Sequence, residues 1–132
     1  MYLTKYEIEV NATGATTAYG YSGLPVYGLL HAIQYTVNTT APIASTASFT
    51  ISREYDSTEA WSKMLTASAS NDNWYYMPRY KTADSTGAST AWNSTAWGFD
   101  YYPISDERIK VSLVGATSAS AGTITAWVQG GA

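Results

Sequence analysis

Apolar and polar positions alternate along much of this chain. In residues 5–10, Tyr6, Ile8 and Val10 share one phase and Lys5, Glu7 and Glu9 the other. Period-2 alternation is what a half-buried strand requires, because successive side chains point to opposite faces of a sheet. The same reading predicts strands over Thr16 to Tyr21, ending at the turn signal Ser22-Gly23-Leu24-Pro25, and over Leu29 to Val37. In the latter, Leu29, His31, Ile33, Tyr35 and Val37 share a phase opposite Leu30, Ala32, Gln34 and Thr36. A fourth strand covers Ala47 to Arg53, with Phe49 and Ile51 inward.

The middle of the chain is less regular. Asp56 to Leu65 leaves two readings open: Asp56 with Glu59 fits a capping box, while Trp61 to Thr66 fits a short strand. The strand agrees better with its neighbours. Trp74 to Tyr80 reads as a strand with Pro78 at its end or on an edge, because proline cannot donate to the ladder. Thr82 to Thr95 reads as a long exposed loop, and Trp97 to Ile104 as an extended aromatic segment broken by Pro103.

Two clear runs close the chain. Ile109, Val111 and Leu113 alternate in one, Ile124, Ala126 and Val128 in the other, and a small-residue loop joins them. They read as a terminal hairpin. Trp127 falls in the polar phase, alongside Arg108, Lys110 and Ser112 of the partner run, so a large aromatic stands on an outer face that something is expected to cover. Short strands separated by Gly, Pro, Ser and Thr turns predict an all-β chain with little or no helix. The expected architecture is an antiparallel β-sandwich of jelly-roll type with about eight strands. It forms a single domain over residues 1–132.

Composition narrows the function classes. The chain has no cysteine, which removes disulfide scaffolds, zinc–thiolate sites and cysteine nucleophiles. Its formal net charge is −3 and 13% of its residues are charged, which argues against a nucleic-acid partner. No apolar run approaches the roughly 20 residues of a membrane span. The start, Met1 to Val10, goes straight into alternation without the basic and apolar regions of a secretory signal, so synthesis in the cytoplasm is expected. Tyrosine and tryptophan are in excess, 12 and 5 against 2 phenylalanines. Such side chains suit surfaces where one end stays wet, notably interfaces.

Candidate chemistry is sparse. His31, the single histidine, reads as a core or rim residue rather than a base or ligand, since a metal site would need carboxylates or carbonyls for every other position. No serine stands in a G-x-S-x-G elbow. Glu54, Asp56 and Glu59 cluster at a strand-to-turn junction as solvated charges, and Asp106-Glu107-Arg108 reads as a local charged turn. No enzyme, cofactor or metal is therefore expected. Arg79, within Tyr75-Tyr76-Met77-Pro78-Arg79-Tyr80, reads either as a polar anchor of an interface or as a charge guarding an edge strand.

The order of these features resembles a known family. GLLHAIQY (28–35), SFTISREY (48–55), YMPR (76–79) and the long PISDERIKVSLVGATSASAGTITAWV segment (103–128) are similar to the small jelly-roll capsid cement, or decoration, proteins of tailed bacteriophages. The aromatic stretch from Trp92 to Tyr102 has no counterpart in that pattern. The resemblance implies a non-enzymatic protein on the outer surface of the virion, bridging major capsid protein subunits and stabilising the head. It also implies self-association, as homotrimers or dimers, and the surplus of aromatics favours the homotrimer. The candidate interface residues are Tyr76, Arg79, Trp92, Trp97, Tyr101, Tyr102, Lys110 and Trp127. A glycan-binding or tail-accessory module is the alternative, with Trp92, Trp97, Tyr101 and Tyr102 as a stacking platform.

Overall fold

The computed structural model describes residues 2–12, 17–55, 62–69, 72–81, 99–116 and 120–130. Its strands are β1 (Tyr2–Ala12), β2 (Thr17–Tyr21), β3 (Val26–Val37), β4 (Ser48–Arg53), β5 (Lys63–Ser68), β6 (Trp74–Tyr76), β7 (Tyr80–Lys81), β8 (Phe99–Asp100), β9 (Pro103–Glu107), β10 (Ile109–Val114) and β11 (Ser120–Gly130). Sheet A has the order β1-β11-β3-β6, with β9 also pairing β3, and sheet B has the order β2-β10-β4-β5. A small ribbon joins β7 and β8. Every pairing is antiparallel. Among the eight strands of these two orders, each connection changes sheet except β4 to β5, which is the jelly-roll arrangement expected.

Alternation decides which face is inside. Ile8 and Val10 of β1, Leu30, Ile33 and Tyr35 of β3, and Ile124, Ala126 and Val128 of β11 are fully buried. Across the sandwich they meet Phe49 and Ile51 of β4 and Ile109, Val111 and Leu113 of β10, equally buried and in the same core cluster. Removing this apolar area from water supplies the main drive for folding in a chain without disulfides.

Four expectations are corrected. The terminal pair is not a hairpin: β10 lies in sheet B between β2 and β4, and β11 lies in sheet A between β1 and β3. Gly115, at φ +83°, begins an arch that carries the chain from one sheet to the other. An arch and a hairpin bury the same phase of both runs, so alternation does not distinguish them. The strand expected over 74–80 stops at Tyr76, ahead of Pro78, and the chain resumes in β7. The 97–104 segment divides into β8 and β9, and β9 continues through the supposed charged turn to Glu107. Asp106, at φ 57°, is the extra residue of a bulge where β9 pairs β3. Finally, β3 changes phase. Its register to β11 passes from Trp127↔Ala32 to Val128↔Leu30, so His31 is unopposed and Leu30, not Leu29, points inward.

A jelly roll has two lateral seams where one sheet's edge meets the other's. β1 and β2 form one. There Gly20 lets the backbones approach: a Cβ at Gly20 would sit 2.8 Å from the Glu9 carbonyl oxygen and 2.8 Å from Ile8 Cγ2. β5 and β6 flank the other seam, which stays apart.

Candidate functional site

Two regions gather the unusual surface side chains: the outer face of sheet A and the open seam between β5 and β6. On sheet A, the outward phase of β11 brings up Trp127 and Gln129, beside Gln34 and the bulged His31 of β3. The Trp127 indole N–H points at Gln34 Oε1 across 3.5 Å. Its neighbour across the ladder is Ala32, which lies on the outer face yet is fully covered. Trp127 is half-buried, as a large ring beside a small residue should be. Gln129 Nε2 lies 2.9 Å from His31 Nδ1. With the amide donating, the imidazole accepts at Nδ1 and carries its proton at Nε2.

Arg79 and Tyr101 extend this face. The Arg79 guanidinium donates to the His31 carbonyl at 2.9 Å and to the Pro78 carbonyl at 2.7 Å. Its central carbon stands 3.9 Å from the centroid of the Tyr101 ring. The Tyr101 ring in turn stacks on His31, with centroids 6.5 Å apart. Arg79 therefore clamps the segment after β6 to β3 while covering Tyr101 by a cation–π contact. Its guanidinium thus spends two hydrogen bonds within the chain.

The open seam is a cleft of about 650 Å³, lined by Leu65, Thr66, Ala67 and Ser68 on one side and by Trp74, Tyr76, Met77 and Pro78 on the other. Trp74 roots it in the core. Its ring lies 5.5 Å from Tyr35 and 6.4 Å from Phe49, and Tyr76 packs on it at 4.8 Å. Tyr75, Tyr76 and Met77 form an exposed run along this edge. Two polar atoms here are buried without a hydrogen-bond partner among the described residues, the Trp74 Nε1 and the Tyr35 hydroxyl. Burial raises the Tyr35 phenol above its ordinary pKa.

The other candidates fall elsewhere. Tyr102 is not part of either surface. It packs half-buried against the core, 5.3 Å from the Tyr80 ring, and its carbonyl accepts from Leu30 N–H at 2.9 Å. Burial raises its phenol pKa too. Lys110 is separated from Trp127 by the whole sandwich, because β10 belongs to sheet B. There its ammonium stands 4.7 Å from the Tyr19 ring, beside Arg108 at 4.4 Å from Tyr21. The patch of Trp127 with Lys110 and Ser112 expected from a hairpin is thus replaced by Trp127 with Gln34, His31 and Gln129. Trp92 and Trp97 lie outside the described residues.

Glu54 and Glu107 each face an arginine. Glu54 accepts from Arg108 Nε at 3.0 Å and forms a second, close contact with its guanidinium. That partner holds the Glu54 carboxyl below the usual carboxylate range. Glu107 lies 4.0 Å from Arg53 and accepts from the Tyr55 N–H at 3.2 Å. Glu54 of the expected junction and Arg108 of the supposed local turn are thus bound to each other, tying the end of β4 to β9 and β10, while Asp56 and Glu59 lie outside the described residues. No group of three or more metal-ligating side chains occurs among the described residues, and none of their helices is long and apolar enough to cross a membrane.

No protein-family model, curated protein or solved structure matches the chain. The site is therefore read from its own geometry. Sequence reasoning reached Trp127, Tyr76, Arg79 and Tyr101 through aromatic excess and phase. It missed Gln34, Gln129 and Trp74 as their partners, because these become neighbours only through pairings across β3, β6 and β11.

Proposed function

We propose that this chain is a non-enzymatic binding protein that attaches to the outer surface of a phage capsid, bridges major capsid protein subunits and stabilises the head. In this reading it is made in the host cytoplasm, joins the virion exterior and self-associates. The capsid assignment rests on the sequence resemblance. The observation that supports a binding role is the exposed Tyr75-Tyr76-Met77 run beside the open seam, at 49%, 46% and 59% exposure. Side chains of this size are enriched in the buried centres of protein interfaces.

Co-sedimentation of purified protein with capsids stripped of decoration tests the proposal. Saturable binding that raises the temperature at which the heads rupture is the expected result. Tyr76→Ala and Trp127→Ala should each weaken binding by about tenfold or more while leaving the melting of the free protein little changed, as hot-spot truncations do. Absence of binding, or binding by both variants as tight as that of the wild type, overturns the reading.

One observation favours the alternative of a glycan-binding module. Trp74 and Tyr76 pack ring against ring in a cleft that also carries the hydroxyls of Thr66 and Ser68. Saturable binding to one sugar class on a glycan array, lost in Tyr76→Ala, would place this reading first.

A further inference from the structure

We propose that the N-terminal half of β1 is a self-pairing edge, through which two copies of this chain join their A sheets about a two-fold axis centred on Tyr6. β1 is the outermost strand of sheet A, and among the described residues nothing pairs with its outer side. β2 meets its second half, where Gly20 lies against Ile8, Glu9 and Val10. Along Tyr2 to Glu7 no described strand pairs the outer side, and Tyr2 is 63% and Leu3 47% exposed. An edge of this kind presents unsatisfied N–H and C=O groups that another strand completes.

The charges select the partner and the register. Lys5 and Glu7 stand on the same outer face, 3.0 Å apart, with side chains half-exposed. A two-fold antiparallel pair keeps inner residues opposite inner residues only when its axis passes through a residue. Centred on Lys5, the axis sets Lys5 against its own copy; centred on Glu7, it sets Glu7 against its copy. Centred on Thr4, it sets Lys5 against Leu3 and leaves Glu7 beyond the pair. Centred on Tyr6, it sets Lys5 opposite Glu7 of the second copy and Glu7 opposite its Lys5, and the ladder is confined to Lys5, Tyr6 and Glu7 because Gly20 of β2 meets Ile8, Glu9 and Val10. Like charges directly opposite destabilise a ladder and opposite charges support it. The four side chains then alternate in sign along and across the pair, and the Tyr6 rings meet on the inner side.

Such an interface is isologous and closes at two copies. It does not rest on the capsid reading, and it yields a dimer where the sequence led to the expectation of a homotrimer. Sedimentation velocity of the full chain tests it with Lys5→Glu, Glu7→Lys and their equimolar mixture. The wild type should show a concentration-dependent dimer that weakens with salt. Each variant alone faces like charges across the axis, and its dimer dissociation constant should rise by about tenfold or more. In the mixture, the two acidic side chains of the Lys5→Glu strand face the two basic side chains of the Glu7→Lys strand, so a heterodimer of near wild-type affinity should return. A wild type that stays monomeric throughout its soluble range, a trimer indifferent to both substitutions, or a mixture that stays monomeric would each overturn the proposal.

Discussion

The two lateral seams of this sandwich solve one geometric problem in opposite ways. At β1 and β2, a residue without a side chain lets one backbone settle onto the other, with Gly20 against the Glu9 carbonyl. At β5 and β6, large rings stand where the sheets would otherwise converge, and a cleft of about 650 Å³ remains. The first seam gives up surface and gains closure. The second keeps Trp74 anchored in the core while leaving Tyr76 and Met77 facing solvent. Closure of a sandwich is thus a local property of each seam rather than of the fold, and the open seam is where exposed aromatic side chains gather.

The comparison is broken most severely by Trp74→Ala. Trp74 joins the core from the open side, so its truncation should cost about 3 kcal/mol, the low end for a large aromatic because it is only half-buried. Chemical denaturation measures this, and a negligible cost would mean that the open seam has no root in the core. Gly20→Ala should cost about 1–3 kcal/mol, since the atom in its way is backbone and cannot rotate aside. If it proves neutral, the two seams do not differ as described.

Trp74→Phe sharpens the contrast with a smaller effect. It removes an indole N–H that is buried without a partner among the described residues while keeping most of the ring, so the change should stay within about 1.5 kcal/mol of wild type. The smallest effect belongs to the charged junction that neither seam uses. Glu54 has its pKa lowered by Arg108, so the unfolded chain binds its proton more readily than the folded one. The stabilisation is present above the ordinary carboxylate value near 4.5 and is lost as pH falls through the lower folded value. Glu54→Gln should flatten the dependence of melting temperature on pH below that value. An unchanged slope would show that the ion pair contributes nothing to folding.

Much of the fold was legible because burial on one face writes itself as period-2 alternation. Ile8 and Val10, Phe49 and Ile51, and Ile109, Val111 and Leu113 all fall inward as their phase requires. What alternation leaves out is which strand lies beside which. Ile109 to Leu113 and Ile124 to Val128 carry the same inward phase whether they pair in one sheet or face each other across two, and the jelly-roll order demands the second. The same gap hid the surroundings of Trp127. Its outward direction was readable, whereas Gln34 and Ala32 reach it only through the β11–β3 register. His31 was misphased because a single unopposed residue reverses the alternation on either side of it.

The placement of β11 has a consequence for how the chain is made. It is the last strand in sequence, yet it occupies the middle of sheet A, between β1 and β3. Tyr2 finds its ladder partner only at Gly130, at the far end of the chain. A nascent chain emerging from the ribosome therefore carries β1 and β3 before the strand that joins them exists. Folding of this sheet waits until β11 has been synthesised, and non-local pairing of this kind is slow. Truncation before Ser120 would leave both strands with open inner edges, converting a closed sandwich into a chain prone to aggregate.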